Sequence, residues 1–99
     1  MPEPLVVFAR IKARPGKAEA LELALRSLVA PTRAEPGALD YVLHRSVDMP
    51  DTWHLYERWA SRAAHDAHFE QPHMKAVLSR VPELVDGDVE MSLAEIVGD

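Results

Sequence analysis

The chain has 99 residues, a formal net charge of −5 and no cysteine. This length fits a single domain over residues 1–99, and a hydrophobic content of 47% is enough for a packed core. The missing cysteines exclude disulfides and thiolate metal sites, and the acidic balance argues against a nucleic-acid partner.

No uninterrupted apolar run is longer than residues 5–9, which is too short to cross a membrane. The N-terminal segment lacks the basic region and apolar core of a signal peptide. We therefore expect a cytoplasmic protein whose partners include neither a membrane nor a nucleic acid.

The first predicted elements are a strand and a helix. Residues 5–13 are rich in β-formers and place alternate side chains on two faces, which is typical of a strand. Residues 17–30 carry leucines and alanines at spacings of three and four, which predicts an amphipathic helix. Pro31 should end or kink this helix, although one further turn could follow up to Glu35.

A hairpin is expected next. Pro36 and Gly37 give a strong turn signal. Residues 39–47 and 52–59 then predict two strands joined by a short loop. One face of the first of these two strands is expected to carry Leu39, Tyr41 and Leu43.

The last third of the chain predicts two helices and a strand. Ser61 is a good N-cap for a helix up to about Phe69, and Pro72 suits the first turn of another helix. Residues 88–97 alternate as a fourth strand. His68 is expected to share one side of the first helix with four small residues, namely Ala60, Ala63, Ala64 and Ala67.

This order of elements predicts an α+β, ferredoxin-like βαββαβ fold, with both helices on one face of a four-stranded antiparallel sheet. The other face is too apolar to stay in water, so we expect a homodimer that forms through this sheet face. The apolar residues expected on that face are Val6, Phe8, Val42, Tyr56 and Ile96.

Three histidines raise the question of a metal site, because imidazole is a common metal ligand. His65 points away from His68 on a helical wheel and no carboxylate motif accompanies them, so we expect no metal and a satisfied or exposed His65. His68 could move protons in a cavity beside the alanines, or simply bond a backbone carbonyl in the core. His73 lies at the edge of the apolar face of its helix, so it could have either a structural role or a role in the site.

Glu57 is a carboxylate on a core-facing strand position, beside Trp53 and Trp59. Left unpaired, it would have a raised pKa and could exchange protons; the alternative is an ion pair with Arg45 on the neighbouring strand. The two tryptophans could stack on a flat aromatic ligand or simply belong to the core.

Five stretches resemble the antibiotic biosynthesis monooxygenase family, and within it the quinol monooxygenases most closely. The likeness covers nearly the whole chain. The stretches are A-R-I-K-A-R-P-G (9–16), E-P-G-A-L-D-Y (35–41), Y-E-R-W-A-S (56–61), A-H-F-E-Q-P-H-M-K-A (67–76) and D-G-D-V-E-M (86–91).

The resemblance implies a dimeric α/β barrel with a pocket between sheet and helices in each subunit. It also implies a cofactor-independent monooxygenase that oxidises a quinol or polycyclic phenol with dioxygen, so no cofactor is expected. His68 is the expected base and Glu57 its proton partner. The expected substrate-binding residues are Trp59, Trp53, Tyr41, Ala64, His73 and Met74.

Haem degradation is not expected. The first strand lacks the asparagine of the haem-degrading branch, and His68 stands where that branch has a helix tryptophan. Two other functions stay open. One is an isomerase that uses the same His68 and Glu57 without dioxygen, or a signal-molecule-degrading enzyme of the same fold. The other is a non-catalytic dimer that binds a flat hydrophobic ligand.

Overall fold

The computed structural model describes residues 4–98, and its four strands form one antiparallel sheet in the order β2-β3-β1-β4. The predicted α+β, ferredoxin-like arrangement is confirmed. None of the helices within residues 4–98 is both long and apolar enough to span a membrane. In chain order the elements are β1 (Leu5–Lys12), α1 (Ala18–Arg33), β2 (Ala38–Arg45), β3 (Thr52–Trp59), α2 (Arg62–His68), α3 (Pro72–Leu78), α4 (Val81–Leu84) and β4 (Glu90–Glu95).

The core lies between one face of the sheet and the helices. Val7 and Ile11 of β1 point into it and belong to the same buried cluster as Leu21 and Leu28 of α1. Phe8, on the opposite face of β1, is 51% exposed. Alternation along β1 therefore separates a helix-covered face from an open one.

Helix α1 continues through Pro31 and ends at Arg33, beyond the expected end near residue 30. A proline this close to a helix end removes only one backbone donor. Thr32, which follows it, is completely buried and fixes the last turn against the core. The backbone N–H groups of Ala34 and Glu35 then donate to carbonyls three residues earlier, which closes the helix.

A tight turn joins α1 to β2. Gly37 has φ of +85°, and the N–H of Ala38 donates to the Glu35 carbonyl at 3.2 Å, as the proline–glycine pair predicts. A Cβ atom on Gly37 would lie 2.6 Å from the Cβ of Ala64 on α2. The turn therefore packs directly on α2, and this contact places Glu35 beside that helix.

The predicted face of β2 is wrong at Leu39. A bulge between Ala38 and Asp40 inserts one extra residue opposite β3. Leu39 is exposed as a result, while Tyr41 is buried in the core. A bulge reverses the alternation at its position, and the apolar pattern of the strand carries no sign of it.

Replacing Gly37 with alanine should destabilise the chain more than replacing Gly16, which has φ of +78° but open space around it. Positive φ alone costs an alanine about 1–2 kcal/mol, and the contact with Ala64 should add about 1–3 kcal/mol at Gly37. The free energy of unfolding in urea measures both variants. Equal losses would show that the turn can move away from α2.

Candidate active site

A cavity of about 130 Å³ lies between the sheet and the helices. Hydrocarbon side chains form most of its wall, among them Ile11, Leu25 and Val77. An engineered apolar cavity of about 150 Å³ holds benzene, so this space suits a ligand with about one aromatic ring. Three polar side chains also line it, namely Tyr41, Glu57 and His68.

His68 is the last residue of α2, and its ring packs between the rings of Trp59 and Phe69, with centroids 4.9 and 5.5 Å away. Its Nδ1 lies 2.8 Å from Oε2 of Glu35. A carboxylate only accepts, so we assign the ring hydrogen to Nδ1. Nε2 then keeps its lone pair, and it has no hydrogen bond to another residue of the 4–98 stretch.

Glu35 was not predicted as a site residue. It is buried at the start of the turn, and its Oε2 also lies 2.7 Å from Nε2 of His73. The only signal in the sequence is the turn itself, because a glycine packed on α2 forces the residue before the proline inward. Periodicity cannot reveal this, since Glu35 lies outside every helix and strand.

Glu57 is buried in the middle of β3, directly opposite Tyr41 of β2. Burial raises the pKa of Glu57 to about 7; the hydrogen bond donated by Trp59 Nε1 (2.9 Å) opposes this rise, and the charge of Glu35 adds to it. The predicted alternative, an ion pair with Arg45, is wrong, because Arg45 binds Glu22 on α1.

Tyr41 supplies the third polar group of the wall. Burial raises the pKa of its phenol far above the usual value, and the charges of Glu57 and Glu35 raise it further. The phenol therefore stays protonated at every working pH. It can donate a hydrogen bond to a ligand oxygen.

The alanine-lined cleft predicted on α2 is wrong. Ala60, Ala63 and Ala67 are exposed, and the helix buries His65 and His68 instead. Ser61 caps the helix by accepting from the N–H of Ala64 at 3.1 Å, which fixes where the helix begins. The space in front of His68 comes from the side chains of α1, α3 and the sheet.

His65 is buried as well, contrary to the expectation of a satisfied or exposed side chain. Its ring lies against Phe69 (5.0 Å) and Trp59 (5.7 Å), and its Nε2 finds no partner among residues 4–98. Burial lowers its pKa and so favours the neutral ring. It does not line the cavity.

Of the six residues expected to bind substrate, Tyr41 and Met74 line the cavity and the other four do not. Trp59 is completely buried and donates to Glu57, and Ala64 packs against Gly37. Trp53 donates to Glu22 on α1 and His73 bonds Glu35. None of these four side chains therefore contacts the space itself.

One cluster has the donor set of a metal site. Glu35, His68 and His73 bring a carboxylate oxygen and two ring nitrogens within 4.8 Å of one another. Imidazole and carboxylate suit divalent transition metals. Only His68 of the three touches the cavity, so an ion held here would lie outside the cavity wall.

A family model described as antibiotic biosynthesis monooxygenase matches residues 4–80. The chain belongs to the antibiotic biosynthesis monooxygenase family. A Mycobacterium tuberculosis protein named "Putative monooxygenase" is 37% identical over 93 residues, which are 94% of this chain and 91% of that protein. The crystal structure of a Pseudomonas aeruginosa protein superposes with a TM-score of 0.94 at 36% identity, covering 99% of this chain and 98% of that one.

An uncharacterized Synechocystis protein is 29% identical over 94 residues. The match takes in 95% of this chain but 64% of the relative's length, so that relative is the longer protein. The comparisons thus establish the family and the fold, and the monooxygenase activity is what the name of the Mycobacterium relative states.

Glu57→Gln tests the raised pKa. The pKa of Glu57 rises from 4.5 in the unfolded chain to about 7 in the folded one, so the folded chain binds a proton more tightly. The free energy of unfolding of the parent should therefore fall by up to about 3 kcal/mol as the pH rises through this window. Glutamine cannot ionise and keeps an oxygen for Trp59. The free energy of unfolding of the variant, relative to the parent, should therefore increase from pH 4.5 to 7.

Glu22→Gln is the matched control. Hydrogen bonds from Trp53 and Arg45 lower the pKa of Glu22 to about 2, so its titration lies below this window. The difference in the free energy of unfolding between this variant and the parent should stay constant between pH 5 and 8. If the corresponding difference for Glu57→Gln is also constant with pH, the buried carboxyl titrates with an ordinary pKa.

Proposed function

We propose that this chain oxidises a quinol or phenol with dioxygen in the cavity, without a resident cofactor. One observation carries the proposal. His68 lines a hydrocarbon-walled cavity together with Tyr41 and Glu57, its Nδ1 lies on a buried carboxylate, and its Nε2 has no hydrogen bond to another residue of the 4–98 stretch. A carboxylate behind an imidazole fixes its tautomer and its orientation, as in hydrolase triads.

The cavity favours a small substrate. About 130 Å³ accepts one substituted aromatic ring more readily than a polycyclic one. The hydrocarbon wall would take the ring, and the hydroxyl would meet Tyr41, Glu57 and His68, which are the polar groups of the lining. We therefore place a single-ring quinol ahead of the polycyclic phenol that the family resemblance also allows.

The reaction needs no electrons other than those of the substrate. His68 Nε2 takes the hydroxyl proton, and the electron-rich anion passes one electron to dioxygen, which removes the spin restriction on direct reaction. The radical pair joins at a ring carbon to give a peroxide anion, and the proton held on His68 returns to it to give a hydroperoxide. Loss of the ring hydrogen together with the distal hydroxyl as water leaves a carbonyl, so one oxygen atom enters the quinone and the other becomes water.

The protein's contribution is position and charge. Tyr41 can donate a hydrogen bond to the substrate oxygen that loses its proton. Glu57, with a pKa of about 7, can give or take a proton as the hydroperoxide breaks down. The apolar wall excludes water that would otherwise compete for the anion.

His68→Gln should lower oxygen uptake with a panel of quinols by about 10²–10⁴-fold, the usual contribution of a general base. His44→Gln is the matched control, because His44 is an exposed histidine of β2 outside the cavity. An oxygen electrode measures uptake and thermal unfolding checks the fold. Full activity in His68→Gln would remove His68 from the mechanism, and turnover without oxygen would replace oxidation by isomerisation.

We also propose a homodimer formed through the open sheet face. Phe8 lies 5.8 Å from Tyr56 there, centroid to centroid, and is half exposed. The charges nearby are already paired within the chain, since Arg10 binds Glu90 and Arg58 binds Asp40. A second copy could therefore cover the face without burying a lone charge, as sheet-on-sheet packing requires.

Phe8→Glu should convert this dimer to a monomer, because it would bury two unpaired carboxylates in the contact. Leu23→Glu is the control, since Leu23 is 70% exposed on α1, away from the sheet. Sedimentation velocity measures both variants and the parent. A monomeric parent, or a dimer that only Leu23→Glu disrupts, would contradict the proposed interface.

A further inference from the structure

The Glu35 cluster is built from three separate elements that hold one another in place. Glu35 comes from the turn before β2, His68 ends α2 and His73 lies in the first turn of α3. The turn is fixed to α2 by the Gly37–Ala64 contact, and to the segment between β3 and α2 by the bond from Ala60 N–H to the Gly37 carbonyl at 2.8 Å. The three donor atoms are thus brought together by the fold, without any ligand.

The cluster lies in a region short of positive charge. The side chains of His68, Glu35 and His73 are 2%, 5% and 19% exposed. No lysine or arginine among residues 4–98 forms an ion pair with Glu35 or with its buried neighbour Glu57. A divalent cation would add the missing charge, and the partly exposed His73 gives it a way in.

Small movements would turn the hydrogen bonds into metal bonds. Both nitrogens lie 2.7–2.8 Å from the same Glu35 oxygen. A zinc-class ion holds nitrogen and oxygen at about 2.0–2.2 Å, which separates neighbouring ligand atoms by about 3–3.5 Å. Each nitrogen therefore has to separate from the carboxylate oxygen by about half an ångström. The two nitrogens, which lie within 4.8 Å of each other, have to reach the same spacing of about 3–3.5 Å.

We propose that Glu35, His68 and His73 form a site for a divalent transition metal such as Zn²⁺, and that the ion switches off the base of the cavity. An ion on Nδ1 of His68 displaces the hydrogen held there. Neutral imidazole then carries its one hydrogen on Nε2. The nitrogen that faces a ligand changes from a proton acceptor to a donor.

The ion acts through this change of tautomer and does not meet the substrate. Glu35 and His73 do not line the cavity, so the ion lies on the far side of the imidazole. The consequence for activity rests on the proposed oxidation, whereas the metal site itself does not. Mg²⁺ prefers an all-oxygen shell and should not replace Zn²⁺ here.

Calorimetric titration of the full chain with Zn²⁺ tests the site. We expect one tightly bound ion per chain. The affinity for Zn²⁺ should fall more than 100-fold in His73→Gln, which exceeds the 10–100-fold loss typical of residues that only hydrogen-bond a metal ligand. The double variant His44→Gln, His54→Gln is the matched control. These two histidines lie directly opposite each other on β2 and β3 and form the other histidine pair of the chain.

The control should bind Zn²⁺ as the parent does. Binding lost in the control but kept in His73→Gln would place the ion on the sheet surface and overturn the proposal. An absence of binding in the parent would overturn it as well. Neither result depends on turnover, so a failed quinol assay would defeat the proposed function and leave the metal result standing.

Nitrogen NMR of the imidazoles tests the switch directly. One equivalent of Zn²⁺ should move the His68 hydrogen from Nδ1 to Nε2 in the parent and leave it in place in His73→Gln. If the parent turns over a quinol, oxygen uptake should fall with the zinc-bound fraction and return after chelation. A bound ion with no change of tautomer would contradict the switch.

Discussion

The burial of the Glu35 carboxylate between two imidazoles is the interaction on which the rest of the site depends. Removing a carboxylate from water costs several kcal/mol, and hydrogen bonds to charged groups return about 1.5–3 kcal/mol each. One oxygen of Glu35 serves both His68 and His73, so the turn and the two short helices are fixed relative to one another. This arrangement holds His68 at the wall of the cavity.

Two buried carboxylates lie close together in different surroundings. Glu35 accepts hydrogen bonds from two histidines. Glu57 accepts one hydrogen bond from the Trp59 indole, and its pKa is raised to about 7. Pairs of acidic groups in contrasting environments commonly take different tasks in one site. Here Glu35 positions the imidazole, and Glu57 is the carboxyl free to change its protonation.

The fold could be predicted from the sequence because alternation and spacing mark its elements. Strand β3 has the bounds expected of it, and the Ser61 cap and the turn at Gly37 form as their residue types indicate. The predictions are wrong where a local irregularity changes which side chains of a strand or helix face the core. The bulge before Asp40 exposes Leu39, and the rotation of α2 buries His65.

The site was harder to predict than the fold. His68 and Glu57 could be singled out because a polar residue on a core-facing position is unusual. Glu35 belongs to no periodic pattern, and its burial depends on a contact between a turn and a helix 27 residues further along the chain, from Gly37 to Ala64. Apart from the turn residues themselves, tertiary packing of this kind leaves no local signal in the sequence.

The apolar cavity also has a mechanical consequence. Pressure favours the state of smaller volume, and a chain that loses an internal void on unfolding becomes smaller. Hydrostatic pressure should therefore unfold this protein more readily than a solidly packed one of its size, and a ring seated beside His68 should protect it. A rise in the pressure needed to unfold the protein would therefore identify compounds that occupy the cavity, including those that the protein does not convert to a product.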